Sequence, residues 1–196
     1  MIQIIDYGAG NLRSVQNALT QLGIESKVIS SAKELKTDCK TIFPGVGAAG
    51  MAMKELNERG FASAIPQIKV PFLGICLGMQ LLMDFSEENN TDCLKIIKGN
   101  VRKFQTTVKI PQIGWNKVEQ KNPANLIFKD IPDQSYFYFV NSYFVDPEPE
   151  NRIGTTDYGT TFASVINKDN FYGVQFHPEK SGEIGLKLLN NFCKSC

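Results

Sequence analysis

Val70-Pro71-Phe72-Leu73-Gly74-Ile75-Cys76-Leu77-Gly78-Met79-Gln80 is the stretch that decides how the chain folds. An apolar run from Val70 to Ile75 reads as a buried strand, and Leu77, Leu81 and Leu82 recur at helical spacing after it. Cys76 stands at the junction, with Gly74 and Gly78 two residues away on either side. That is the layout of a nucleophile elbow, in which a strand turns sharply into a helix and holds the junction side chain exposed on a strained backbone. Glycines beside the turn let neighbouring chain pass close to it. The following helix is expected to aim its N-terminal dipole at the sulfur and favour thiolate.

Working outward, the first half alternates short apolar runs with helical patterns. Ile2–Ile5, Ser26–Ile29, Thr41–Phe43 and Val70–Ile75 are predicted strands. Helices are predicted over Leu12–Leu22, ended by Gly23, and over Ala49–Arg59, with a short one through Leu35 capped by Ser30 or Ser31. Near-continuously apolar strands alternating with helices imply a parallel sheet covered on both faces. Ligand sites in such sheets lie beyond the carboxyl ends of the strands, where Pro44-Gly45-Val46-Gly47 and Cys76 fall. The second half changes character. Val101–Lys103, Lys117–Val118, Tyr136–Val140, Phe162–Ile166 and Tyr172–Phe176 read as strands of an antiparallel or mixed extension, and a last helix carries Ile184, Leu188, Leu189 and Phe192. The expected class is α/β: a three-layer, open, mixed but mostly parallel sheet with helices on both faces, in one domain spanning 1–196.

A net charge of +1 argues against nucleic acid or an anionic membrane surface as partner. No apolar run approaches the roughly 20 residues that span a bilayer. Met1–Asp6 lacks a basic region and reads as a strand, not a signal peptide. Five cysteines at irregular spacing suit a reduced cytoplasmic protein. Cys193-Lys194-Ser195-Cys196 has no second cysteine pair and no spare histidine, so no metal is expected there and a frayed end is.

The chain has one histidine, His177, in Phe176-His177-Pro178-Glu179. Cys76 supplies a nucleophile, and an imidazole can take its proton and return it to a leaving group. Pro178 disfavours helix at His177, and side chains two apart in extended chain point the same way, so Glu179 can orient the ring. The backbone N–H of Leu77 and the Pro44–Gly47 loop are the candidate oxyanion donors. Gln80 falls one helical turn beyond Cys76, on the side of the pocket. Gly45-Val46-Gly47-Ala48-Ala49-Gly50 also matches G-x-G-x-x-G, but no carboxylate follows near residues 65–70, which counts against a dinucleotide site.

Together the GICLGMQ run and the FHPEKS run resemble the class I, triad-type glutamine amidotransferases, whose fold is flavodoxin-like. The opening Asp6-Tyr7-Gly8-Ala9-Gly10-Asn11-Leu12, the PGVG loop, Gly114-Trp115-Asn116, Tyr138-Phe139-Val140 and HPEKS are similar to the glutaminase subunits of imidazole glycerol phosphate synthases. The resemblance covers the chain in order. It implies a triad of Cys76, His177 and Glu179, an oxyanion region at Gly45, Val46 and Leu77, and glutamine binding by Gln80. It implies no cofactor. It implies that ammonia passes to a (β/α)₈-barrel cyclase subunit in a heterodimer of histidine biosynthesis, with Asn11, Arg13, Trp115, Tyr138 and Lys180 near the interface. Histidine is common in that family where this chain has Gln112 and Asn141. Related glutaminase subunits serve other synthases, including ones that amidinate surface sugars, and that is the alternative partner. A non-catalytic nucleotide-binding module is the remaining reading.

Overall fold

The computed structural model describes residues 1–8, 10–105 and 107–196. Ala9, part of the opening motif, lies outside the described residues. The first half runs β1 (Ile2–Ile5), α1 (Leu12–Gln21), β2 (Ser26–Ile29), β3 (Thr41–Gly45), α2 (Ala49–Glu58), α3 (Phe61–Ala64), β4 (Phe72–Cys76) and α4 (Leu77–Gln80). The second runs β5 (Phe85–Ser86), β6 (Thr91–Asp92), β7 (Gly99–Lys103), β8 (Gln112–Gln120), β9 (Ser135–Asn141), β10 (Tyr143–Pro147), β11 (Arg152–Asp157), β12 (Thr161–Lys168), β13 (Phe171–Val174) and α5 (Gly182–Lys194).

Five strands in the order β2-β1-β3-β4-β13 form the parallel block. Beyond β13 the sheet turns antiparallel and forks at β12: one branch continues through β10 and β7, and the other through β11 to the β8–β9 hairpin. The period-two alternation of a buried strand divides the core into two layers. Ile4, Ile42, Leu73 and Ile75 pack with Val15, Leu19, Leu188 and Phe192 of α1 and α5. Ile5, Phe43 and Phe72 pack with Ala52, Leu56, Phe61 and Ile65 on the α2–α3 side. Helices therefore cover both faces of the parallel block.

The expected strands and long helices of the first half are present, with ends shifted by one or two residues. Ser31 is the cap of the short turn Ala32–Glu34, accepting from the Lys33 amide at 3.1 Å. The helix after Cys76 is shorter than its leucine spacing implies. It stops after one turn because the carbonyls of Leu81, Leu82 and Met83 accept from the amides of Leu94, Ile96 and Lys95. One turn sums too few peptide dipoles for the expected macrodipole effect on the sulfur. β10 and β11 were not legible: β10 ends in Asp146-Pro147, and β11 is polar and interrupted by Gly154, where its register with β12 shifts. The C-terminal segment is not frayed, since Lys40 Nζ donates to main-chain oxygens of Cys193 and Cys196 at 2.9 and 2.7 Å.

The elbow is closed by backbone contact. A Cβ on Gly74 would stand 2.6 Å from the Gly78 carbonyl oxygen, and one on Gly78 would collide with the carbonyl of Phe43. We expect Gly74→Ala to destabilise the fold by about 1–3 kcal/mol, the usual cost of overpacking a close-packed site. Urea unfolding checks this; an unchanged midpoint would mean that the elbow can open without cost.

Candidate active site

Three neighbouring parallel strands bring the site residues to one edge. Gly45 at the end of β3 pairs with Cys76 at the end of β4. Val174 of β13 pairs with Ile75 on the other side, so the chain leaving β13 passes Cys76 through Gln175 and Phe176 to His177. The three pieces lie far apart in sequence and converge because their strands are adjacent and parallel.

Cys76 has φ 54° and ψ −113°, the strained positive-φ backbone expected of an elbow. Such a residue costs about 1–3 kcal/mol and persists only where the surroundings over-determine it. Its thiol points at the Val140 carbonyl at 3.8 Å, and Gln175 Nε2 donates to Sγ at 3.6 Å. His177 Nδ1 lies 2.9 Å from Glu179 Oε1, both side chains almost wholly buried. The carboxylate fixes the proton on Nδ1 and leaves Nε2 for Cys76. Burial alone would lower the imidazole; hydrogen bonds and charge from Cys76 and Glu179 overcome it and push the pKa up to about 10. The His177 amide donates to the Tyr138 carbonyl at 2.9 Å, so β9 holds the backbone of the base.

Cys76 and His177 open into a cleft of about 290 Å³, lined also by Val46, Gly47, Leu77, Gln80, Glu88, Asn141, Ser142 and Tyr143. Its size is at the small end of the range for small-molecule sites. Of the expected oxyanion residues, Val46 and Leu77 line the cleft, and Gly45 is packed beneath it, where a Cβ would stand 2.6 Å from the Tyr7 hydroxyl. Burial raises the Tyr7 phenol, and the Val46 amide faces its oxygen. Gln80 lines the cleft, but its Nε2 is engaged by the Tyr143 carbonyl at 3.1 Å and by Gln175 Oε1 at 3.0 Å. Sequence reasoning missed Gln175 and Glu88. Gln175 follows an apolar strand with no motif spacing of its own. Glu88 is the one carboxylate among the cleft-lining residues, and its Oε2 accepts the Ala49 amide at 2.8 Å. That carboxylate takes the N-terminus of α2, where a phosphate would sit in the nucleotide-binding reading, and so counts against it.

The residues expected near an interface lie around the turn that carries the base. Asn11 is the residue before α1 and Arg13 lies in its first turn, Lys180 is exposed in the turn after His177, and the Trp115 and Tyr138 rings meet edge-on at 6.0 Å. Ile113, Trp115 and Tyr136 are exposed on the same hairpin. Burial pushes the thiol of Cys193 up to about 12 and raises that of Cys196, so neither end of the C-x-x-C is an activated thiol. Among the described residues, no group of three or more His, Cys, Asp or Glu side chains is placed to hold a metal ion.

An elbow cysteine in one cleft with a buried imidazole that a carboxylate holds is the arrangement that thiol-based amide hydrolysis requires. Residues 3–196 match the family "Glutamine amidotransferase class-I", and the chain belongs to that family. PurLQS from Thermotoga maritima shares the fold, with a TM-score of 0.72 at 15% identity over 97% of this chain and 96% of that one. Within the family the chain is similar to imidazole glycerol phosphate synthase subunit HisH. The Methanocaldococcus jannaschii subunit is 50% identical over 98% of this chain and 98% of its own length. That of Maridesulfovibrio salexigens is 45% identical over 100% of this chain and 97% of its own.

The single imidazole can be followed alone by NMR titration. In the intact protein it should keep its second proton well past pH 7, and Cys76→Ala or Glu179→Gln should lower its midpoint toward the ordinary histidine value of about 6.5. Because the folded pKa is raised, the stabilisation that imidazolium supplies is complete below about 6.5 and fades as pH climbs toward the folded value. A midpoint unmoved by either substitution would mean that the pair does not hold the proton.

Proposed function

We propose that the chain hydrolyses the side-chain amide of glutamine and passes the ammonia to a (β/α)₈-barrel cyclase subunit in imidazole glycerol phosphate synthesis. The observation that carries the chemistry is that His177, held by Glu179 at 2.9 Å, lines one cleft with Cys76. Cys76 Sγ attacks the amide carbon as the thiolate, its proton already held by His177. His177 returns that proton to the departing nitrogen, leaving a thioester and ammonia. Water, deprotonated by His177, then attacks the thioester and releases glutamate. Leu77 N–H and the Gly45–Val46 peptide are the oxyanion donors, and the second requires that the Val46 amide turn from Tyr7 toward the cleft. Glu88, which lines the same cleft as Cys76, takes the α-ammonium of glutamine, which orients the amide toward Cys76.

The pathway reading is supported by full-length relatives named as HisH subunits. The exposed strip of Ile113, Trp115 and Tyr136 on β8–β9 is the face offered to the cyclase. Through Tyr138 and Val140, the same hairpin touches both catalytic residues, which gives a bound partner a direct mechanical route to them. Five free cysteines fit a reducing cytoplasm.

Cys76→Ala should lower ammonia release by at least about 1,000-fold with the fold intact, as removal of a covalent nucleophile does. A glutamine-analogue alkylator should label Cys76 alone; ammonia release unchanged in the alanine variant would remove this residue from the reaction. Glu88→Ala should raise KM for glutamine about ten-fold with little change in kcat, the pattern for loss of a charge-assisted substrate contact. A fall confined to kcat would place Glu88 outside substrate binding. Complementation of a histidine auxotroph that lacks this subunit tests the pathway, and failure by well-expressed protein would point to another synthase.

A further inference from the structure

Gln175 is wholly enclosed and belongs to no element of the triad. It stands one residue beyond β13, beside Cys76. Its amide has two ends with two different tasks. Nε2 donates to Cys76 Sγ at 3.6 Å, and Oε1 accepts from Gln80 Nε2 at 3.0 Å. Gln80 Nε2 also donates to the Tyr143 carbonyl at 3.1 Å, which fixes that nitrogen in place. The chain of donors settles which end of Gln175 faces the sulfur. Reversing its amide would set an oxygen against Cys76 and an NH₂ group against the NH₂ of Gln80.

The sulfur therefore has two backbone-anchored contacts with opposite preferences. The Val140 carbonyl, 3.8 Å away, accepts the S–H and so suits the neutral thiol. The Gln175 N–H suits the anion, because a hydrogen bond to an ionised acceptor is stronger than to a neutral one. When the proton moves to His177, the first contact is lost and the second strengthens.

We infer that Gln175 is a further catalytic residue that donates an N–H to the Cys76 thiolate, and that Gln80 is a positioning residue that keeps this N–H aimed at the sulfur. The inference rests on Cys76 being the nucleophile. It gives Gln80 a task that needs no glutamine in the cleft, and alkylation by iodoacetamide, which needs none, is the probe.

The rate of Cys76 alkylation is measured by mass mapping of its peptide from about pH 6 to about pH 10, the range over which thiolate fractions change. In Gln175→Met the rate at pH 7 should fall about ten-fold, as for loss of one hydrogen bond to a charged group, and should rejoin the wild-type rate at the alkaline end. Gln80→Leu should shift the profile in the same direction by less. The double variant should be no slower than Gln175→Met, since both act on one contact. Profiles that superimpose on the wild type, or losses that add, would overturn the inference. Should the methionine variant not fold, Gln175→Glu keeps the shape and replaces the donor with a carboxylate; slower alkylation supports the assignment and an unchanged profile defeats it. If wild-type Cys76 resists the glutamine-analogue alkylator, the functional reading itself fails. If it reacts and the Gln175 variants match it, only this inference does.

Discussion

The site depends on one steric constraint: three stretches of main chain meet at the elbow with no room for a side-chain carbon between them. Gly74 lies against the Gly78 carbonyl, Gly78 against that of Phe43, and Gly45 against the Gly78 amide. This contact seats the single turn of α4 directly on β3 and β4. It holds Cys76 at a positive φ that non-glycine residues rarely adopt. Strain at the nucleophile is thus maintained by packing around it, so the thiol stays at the cleft even though most of the residue is buried.

Around that sulfur four contacts hold the imidazole residue and the thiol in place. His177 is held by Glu179 through ring Nδ1 and by the Tyr138 carbonyl through its backbone N–H. The sulfur is met by Val140 and Gln175. Low exposure makes each contact count for more than it would in water. Two of the four come from β9, whose outer face carries the exposed aromatic strip with β8. One strand of backbone therefore separates that face from His177 and Cys76.

Much of the fold was legible in the residues. β1 and β3 are mostly apolar runs with clear ends, and α1 and α5 show one apolar face each, so periodicity was enough. The residues that meet at the cleft were legible because Cys76 carries its glycines and His177 is the sole imidazole. What could not be read was whatever depends on a distant partner. Gly154 and the threonines of β11 look like loop residues, and they form a strand because β12 and β8 offer edges on both sides. The leucines after Cys76 look like a long helix, and the loop at 94–97 takes their carbonyls instead.

Sequence by itself singled out Cys76, His177 and Glu179 and showed which segments are buried, because residue type and period are local properties. It also named Gln80 as a cleft residue. Only the tertiary structure decided what Gln80 touches, because Gln175 and Tyr143 arrive from other strands. The parallel order β3-β4-β13 likewise exists only in three dimensions, and it is this adjacency that turns one cysteine and one remote histidine into a pair.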